Sequence, residues 1–323
     1  MSILTILIIR ANQKMNECEC PSIYDMTGQT AEKAVEKILG IKNFFCNEFI
    51  YGGHLLSFGT SLIALSTMIL LGITIRWEFL LIIYFGTQCI YNYDHFKEID
   101  ADTSNNSDRT NHLKKYQKFL PSVLVVYGIS YFVLLLGFGN IESIIFGSIL
   151  LFSGLLYTDK FKMMTEKIVG FKSVYTASSW GLLVVFTAIY CSYALNALLA
   201  IILLFVFLRW LVNTSFCDLK DMDSDKKENL LTLPIYFGKQ KFIIFLHILN
   251  LSTFLLLLIA IILGIAPLFS AFLLFFYAYG FYYIQKAKNL KTNLNSLSNI
   301  MVDGEFMFWP VFLLLGSFFI TLV

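Results

Sequence analysis

Charge is what this sequence has least of. Asp, Glu, Lys and Arg make up 14% of its 323 residues, against roughly 25% in soluble domains. That deficit excludes an ordinary water-soluble fold. The six cysteines (Cys18, Cys20, Cys46, Cys89, Cys191, Cys217) show no metal-binding spacing beyond Cys18 and Cys20, and no histidine lies close to that pair. They read as free cytoplasmic or buried thiols. The opening "MSILTILII" lacks the basic start and the small-residue cleavage site of a signal peptide. It is also too short to span a bilayer, and reads as a tail or surface segment.

What is present in excess is apolar. Hydrophobic residues make up 57% of the chain, and the mean hydropathy is +0.71. A spanning helix needs about 20 mostly apolar residues. Nine stretches approach that length: about 50–72, 77–93, 119–138, 141–157, 174–193, 195–216, 242–264, 267–285 and 304–322. The expected fold class is an all-α integral membrane protein with nine transmembrane helices. Residues 1–44 are expected to be an N-terminal cytoplasmic tail with an amphipathic segment, and 45–323 the membrane domain.

The net charge of +2 says little about partners, but the placement of the 24 Lys and Arg is one-sided. All except Arg76 and Arg209 fall in the N-terminal segment or after the second, fourth, sixth and eighth apolar stretches. Positive charge accumulates on the cytoplasmic side. A multi-pass protein of the cell membrane is therefore expected, its N-terminus cytoplasmic and its C-terminus external.

Two acidic segments emerge on that side. Asp94, Glu98 and Asp102 recur at intervals of four where the second apolar stretch ends, which places them on one helical face. After the sixth stretch, Asp218, Asp221 and Asp225 stand at offsets that again share a face. Each segment alone reads as a solvated helix end. Two such faces on one side of the membrane are another matter, because acids near a membrane core are costly enough to suggest a use. Carboxylates without His or Cys suit hard divalent cations, above all Mg²⁺, which binds through one or two carboxylates plus substrate phosphates. A Mg²⁺–diphosphate substrate is the natural partner. After the fourth stretch, Tyr157, Lys160, Lys162 and Lys172 lie on the same side, and lysine ammoniums are point charges for phosphate oxygens. No nucleic-acid partner is expected.

These residues resemble the motifs of the UbiA superfamily of intramembrane prenyltransferases, from about residue 45 onward. The family's first motif, Asn-x3-Asp-x3-Asp, falls on Asp94, Glu98 and Asp102, with Asp in place of Asn and Glu in place of Asp. The second, Asp-x2-Asp-x3-Asp with a following Thr-Leu-Pro and Gly, is similar to Asp218, Asp221, Asp225, Thr232–Pro234 and Gly238. The Tyr-x2-Lys pattern at Tyr157 and Lys160, followed by "GFKSVY", is similar to the family's Tyr/Lys loop. The resemblance implies a nine-helix bundle around a central cavity, with diphosphate at the cytoplasmic mouth and the prenyl chain in an apolar tunnel.

The implied reaction is Mg²⁺-dependent transfer of a polyprenyl group from an allylic prenyl diphosphate to an acceptor, an aromatic ring or hydroxyl compound. The six acids would be its catalytic metal ligands, and the partners would be the donor, a lipophilic or aromatic acceptor and membrane lipid. Polar residues inside the apolar stretches are candidates for the acceptor. They are His54, with Glu48 and Tyr51 nearby, and Arg209 with Asn213. Arg209 also reads as able to snorkel to the interface, and Asp303 and Glu305 could reach the mouth but read first as a solvated loop. Two alternatives remain at this point: a terpene cyclase on the same scaffold, and a non-catalytic cation- or lipid-binding membrane protein.

Overall fold

The computed structural model describes residues 43–100, 106–289 and 293–321. The chain divides into two units, Met1–Cys46 and Asn47–Val323. Of the first, only residues 43–46 are described, and they are helical. The expected tail and its amphipathic segment otherwise lie outside the described residues. Everything below concerns the second unit.

Among the described residues there is no strand. The longer helices are α1 (His54–Leu71), α2 (Trp77–Glu98), a short α3 (Ser107–Lys114), α4 (Leu120–Phe138), α5 (Ile141–Leu156), α6 (Phe171–Tyr190) and α7 (Ala197–Lys220). They continue with two short helices, α8 (Met222–Lys227) and α9 (Leu233–Phe237), and then α10 (Lys239–Ile262), α11 (Phe275–Lys286) and α12 (Trp309–Thr321). Their ends follow local chemistry. The Asn140 side chain accepts from the Ser143 amide (2.7 Å) and starts α5, and Asn196 does the same for Leu199 (2.9 Å) and α7. Gly72, at φ 64°, closes α1 in the left-handed conformation that favours glycine.

Among the described residues, eight helices are long and apolar enough to cross a membrane. The expected stretch not among them, 77–93, falls in α2, which has 22 residues. Its second half carries Gln88, Asn92 and His95, all buried. A helix that turns polar groups inward loses apolar character without losing length, so nine is an approximate count. The last stretch also differs from expectation. The spanning segment runs Leu297–Ile320 and enters through a π-helical piece, Leu297–Val302, and a tight turn, Glu305–Phe308.

Helices differ in how much they bury. Only Leu120, Tyr131 and Leu135 of α4 are buried, as expected of a helix at the lipid surface. By contrast α7 buries a long stripe that includes Phe205, Arg209, Trp210, Asn213 and Asp218. The buried Arg209 is held by Glu305 through Nε–Oε1 (2.9 Å) and Nη2–Oε2 (2.5 Å), and donates to Asn250 of α10. Asn213 donates to the Val302 carbonyl (2.9 Å). These bonds pin the 297–305 segment against α7.

Candidate active site

A cavity of about 360 Å³ opens between α2, α5, α6 and α7, within the range of small-molecule sites. Its charged end is built from both acidic segments. Asp94 and Glu98 come from the last turns of α2, and Asp218, Asp221 and Asp225 from the α7–α8 junction. The second set does not sit on one continuous helix, as its spacing suggests: α7 ends at Lys220, and Asp225 belongs to α8. The break at Asp221 still leaves all three acids on the cavity wall. Asp102 lies outside the described residues.

Nearby lysines neutralise these acids. Lys172, at the start of α6, lies 3.2 Å from Asp218 and 3.7 Å from Asp225. Ser173 Oγ donates to the other Asp218 oxygen at 2.5 Å. Lys162 pairs with Glu98 (2.7 Å) and Glu228 (3.3 Å), and Lys220 pairs with Asp221 (3.0 Å). Thr158 donates to Asp94 at 2.7 Å. The Asp225 Oδ2 is buried with no hydrogen-bond partner. Burial pushes its carboxyl up to about 6, against the pull of Lys172.

The chain presents Lys162 by leaving the regular helix. After α5 it passes through a π-helical turn, Tyr157–Phe161, and a tighter turn, Lys162–Glu166. Such irregular turns are frequent at functional sites. Tyr157 stacks on Tyr175 with ring centroids 4.9 Å apart, and its hydroxyl is buried without a partner. Deeper in, Trp180 and Trp210 stack at 4.9 Å, and below them Leu151, Leu183 and Phe186 make the lining apolar.

Of the residues singled out from sequence, the cavity gathers Asp94, Glu98, Asp218, Asp221, Asp225, Tyr157, Lys162, Lys172 and Asn213. It does not gather Lys160, which is exposed, or Arg209, which is 1% exposed and locked to Glu305 instead of reaching the interface. Nor does it gather His54. That side chain meets Tyr84 (2.5 Å) and Glu48 (3.5 Å), and Glu48 also takes hydrogen bonds from His112 (2.7 Å) and Tyr116 (2.9 Å). Burial would raise the Glu48 carboxyl; those bonds outweigh it and hold it down at about 2.

Asp303 and Glu305 are no solvated loop: Asp303 lines the cavity and Glu305 is fully buried. The cavity also includes Tyr91, His95, Arg109, Lys220 and Glu228, which sequence reasoning passed over. Their signal was adjacency. His95 follows Asp94, Lys220 sits between Asp218 and Asp221, and Glu228 lies three residues past Asp225.

The described residues form a helical membrane bundle whose cavity has a carboxylate-and-lysine mouth over an apolar lining. The chain belongs to the UbiA prenyltransferase family, whose model matches residues 93–312, more than half of its length. No curated protein matches it in sequence. Solved structures do match in fold. A UbiA homolog from Archaeoglobus fulgidus bound to GPP and Mg²⁺ aligns with a TM-score of 0.62 at 13% identity, over 84% of this chain and 98% of that one. The apo UbiA homolog from Aeropyrum pernix K1 aligns at 0.61 and 10% identity, over 82% and 98%. A structure of digeranylgeranylglyceryl phosphate synthase aligns at 0.51 and 19% identity, over 85% and 96%. The protein is an integral membrane prenyltransferase of that family.

Proposed function

We propose that the protein transfers a polyprenyl group from an allylic prenyl diphosphate to a lipophilic or aromatic acceptor inside the membrane, releasing diphosphate. The observation that carries this reading is the meeting of Asp94 and Glu98 with Asp218, Asp221 and Asp225 around one cavity whose far end is apolar.

The donor set fits Mg²⁺. The acids offer only oxygen ligands, and among the described residues no three His, Cys, Asp or Glu are grouped so as to hold a metal ion by themselves. An open set with a buried, unpartnered Asp225 oxygen suits a cation that completes its shell with substrate phosphates. When bound, Mg²⁺ would offset the charge that builds on the diphosphate as the allylic C–O bond breaks.

The chain's own groups do the rest. Lys162 and Lys172 place positive charge where the diphosphate leaves. The Tyr157 hydroxyl is a free donor for a phosphate oxygen. Trp180 and Trp210 line the pocket, and aromatic rings there attract an allylic cation. Leu151, Leu183 and Phe186 exclude water that would quench that cation. The family's Archaeoglobus fulgidus member, of the same fold and bound to GPP and Mg²⁺, supports this donor chemistry.

The mouth faces the cytoplasm in this reading, with the N-terminus on that side and the C-terminus outside, because nearly all Lys and Arg flank it. The test is to incubate the membrane-embedded protein with labelled farnesyl or geranylgeranyl diphosphate, Mg²⁺ and a lipid extract, and to identify labelled products by mass spectrometry. A prenylated acceptor supports the reading. An acceptor-independent hydrocarbon identifies a cyclase, and an unconsumed donor contradicts both.

A further inference from the structure

The cavity runs deep along two helices. Its lining on α2 extends from Glu98 back to Ile83, and on α6 from Lys172 to Phe186. At 1.5 Å per residue these correspond to about 22 Å and about 21 Å. At the far end the exposures of Ile83, Tyr131, Leu151 and Phe186 are 3%, 3%, 3% and 1%, so the pocket ends in packed protein.

Tyr131 is the one α4 residue, among those described, that lines the cavity. It reaches in from the lipid-side helix because its neighbours lack side chains. A Cβ placed on Gly86 of α2 would lie 2.8 Å from the Tyr131 ring. One placed on Gly147 of α5 would lie 2.8 Å from the Tyr131 hydroxyl and 2.7 Å from Phe186. Glycine is disfavoured inside helices, and here two of them seat one ring. Phe186 is backed by Phe79 (4.9 Å, edge-on) and Phe146 (5.9 Å), so its side of the floor has no room to yield.

We propose that Tyr131, seated on Gly86 and Gly147, is the floor that sets the longest prenyl chain this site accepts. The inference rests on the prenyl-donor reading above and deepens it. An apolar chain gains affinity with each buried methylene until its end meets a wall, and pushing further into a packed wall is unfavourable. Removing the ring opens space continuous with the tunnel. Filling the Gly86 position puts a methyl group on the cavity wall and against the ring.

The experiment measures binding of unreactive prenyl thiodiphosphates with Mg²⁺, from dimethylallyl through geranyl, farnesyl and geranylgeranyl to hexaprenyl. The full chain is used in lipid nanodiscs, with quenching of tryptophan fluorescence as readout. The wild type is expected to gain affinity up to a limiting length and lose it beyond. In Tyr131→Ala and the better-packed Tyr131→Leu the limit moves up by at least one prenyl unit, and the first donor past the wild-type limit binds about tenfold more tightly. In Gly86→Ala the limit moves down. Dimethylallyl binding, which does not reach the floor, stays unchanged and reports that each variant is folded. If the wild type binds none of the series, the prenyl-donor reading fails and this inference with it. If it binds them but shows no limit, or the same limit in all variants, Tyr131 is not the floor and the donor reading stands.

Discussion

Lys172 and Asp218 form an ion pair of 3.2 Å in which the aspartate side chain is only 2% exposed. The pair joins the start of α6 to the end of α7, and through Asp225 it also ties α8 to the mouth. A carboxylate so deep would be costly alone, and the lysine is what makes it tolerable.

Removing that lysine is therefore expected to harm the empty protein as well as donor binding. Lys172→Met leaves Asp218 and Asp225 uncompensated and is expected to cost roughly 3 kcal/mol of stability. Thermal unfolding in detergent measures it. The double variant Lys172→Met/Asp218→Leu should recover much of that loss without recovering donor binding.

Protonation of Asp225 yields a pH dependence. Burial raises its carboxyl to about 6, so it is charged at neutral pH and becomes neutral as pH falls through 6. Protons then compete with divalent metal. The Mg²⁺ concentration for half-maximal turnover should rise as pH drops below 6, by up to about tenfold per unit for one proton. Asp225→Asn should flatten that part of the curve. Because the folded-state value is raised, the metal-free protein should also be more stable at pH 4 than at pH 7 from this group, losing that contribution as pH rises through 6.

The Arg209–Glu305 pair is buried at 1% exposure on both sides, and its role is architectural. Arg209→Met or Glu305→Gln alone strands a buried charge and is expected to lower stability by roughly 3–5 kcal/mol, whereas Arg209→Met/Glu305→Leu should be far milder. Unfolding of the three variants in the same detergent checks this.

The proposed orientation has its own test. A cysteine placed at Ser224, on the cavity mouth, should react with an impermeant thiol reagent only from the cytoplasmic face.

Sequence made the bundle readable because apolar runs of spanning length have few other fates. Asp94, Glu98, Asp218 and Asp225 were readable as well, since carboxylates repeated at helical spacing beside such runs are costly without a use. What stayed hidden depends on who packs against whom. Arg209 reads as an intramembrane cation available to a substrate, and only the fold brings Glu305, 96 residues away, onto it. Lys220 and Arg109 read as ordinary positive-inside charges until the cavity gathers them. Tyr131 is one aromatic among many, and its importance comes from glycines on two other helices. The break of α7 at Asp221 lies inside a pattern that reads as continuous helix.

The central claim is that the two acidic segments act together on a prenyl diphosphate. Its most direct measurement is the rate of diphosphate release from labelled prenyl donor, with lipid extract and saturating Mg²⁺, for wild type, Asp218→Ala, Asp221→Ala and Asp225→Ala. The account predicts release that requires Mg²⁺ in the wild type and falls by about 100-fold or more in each variant. Near-normal rates in two of the three folded variants would contradict it.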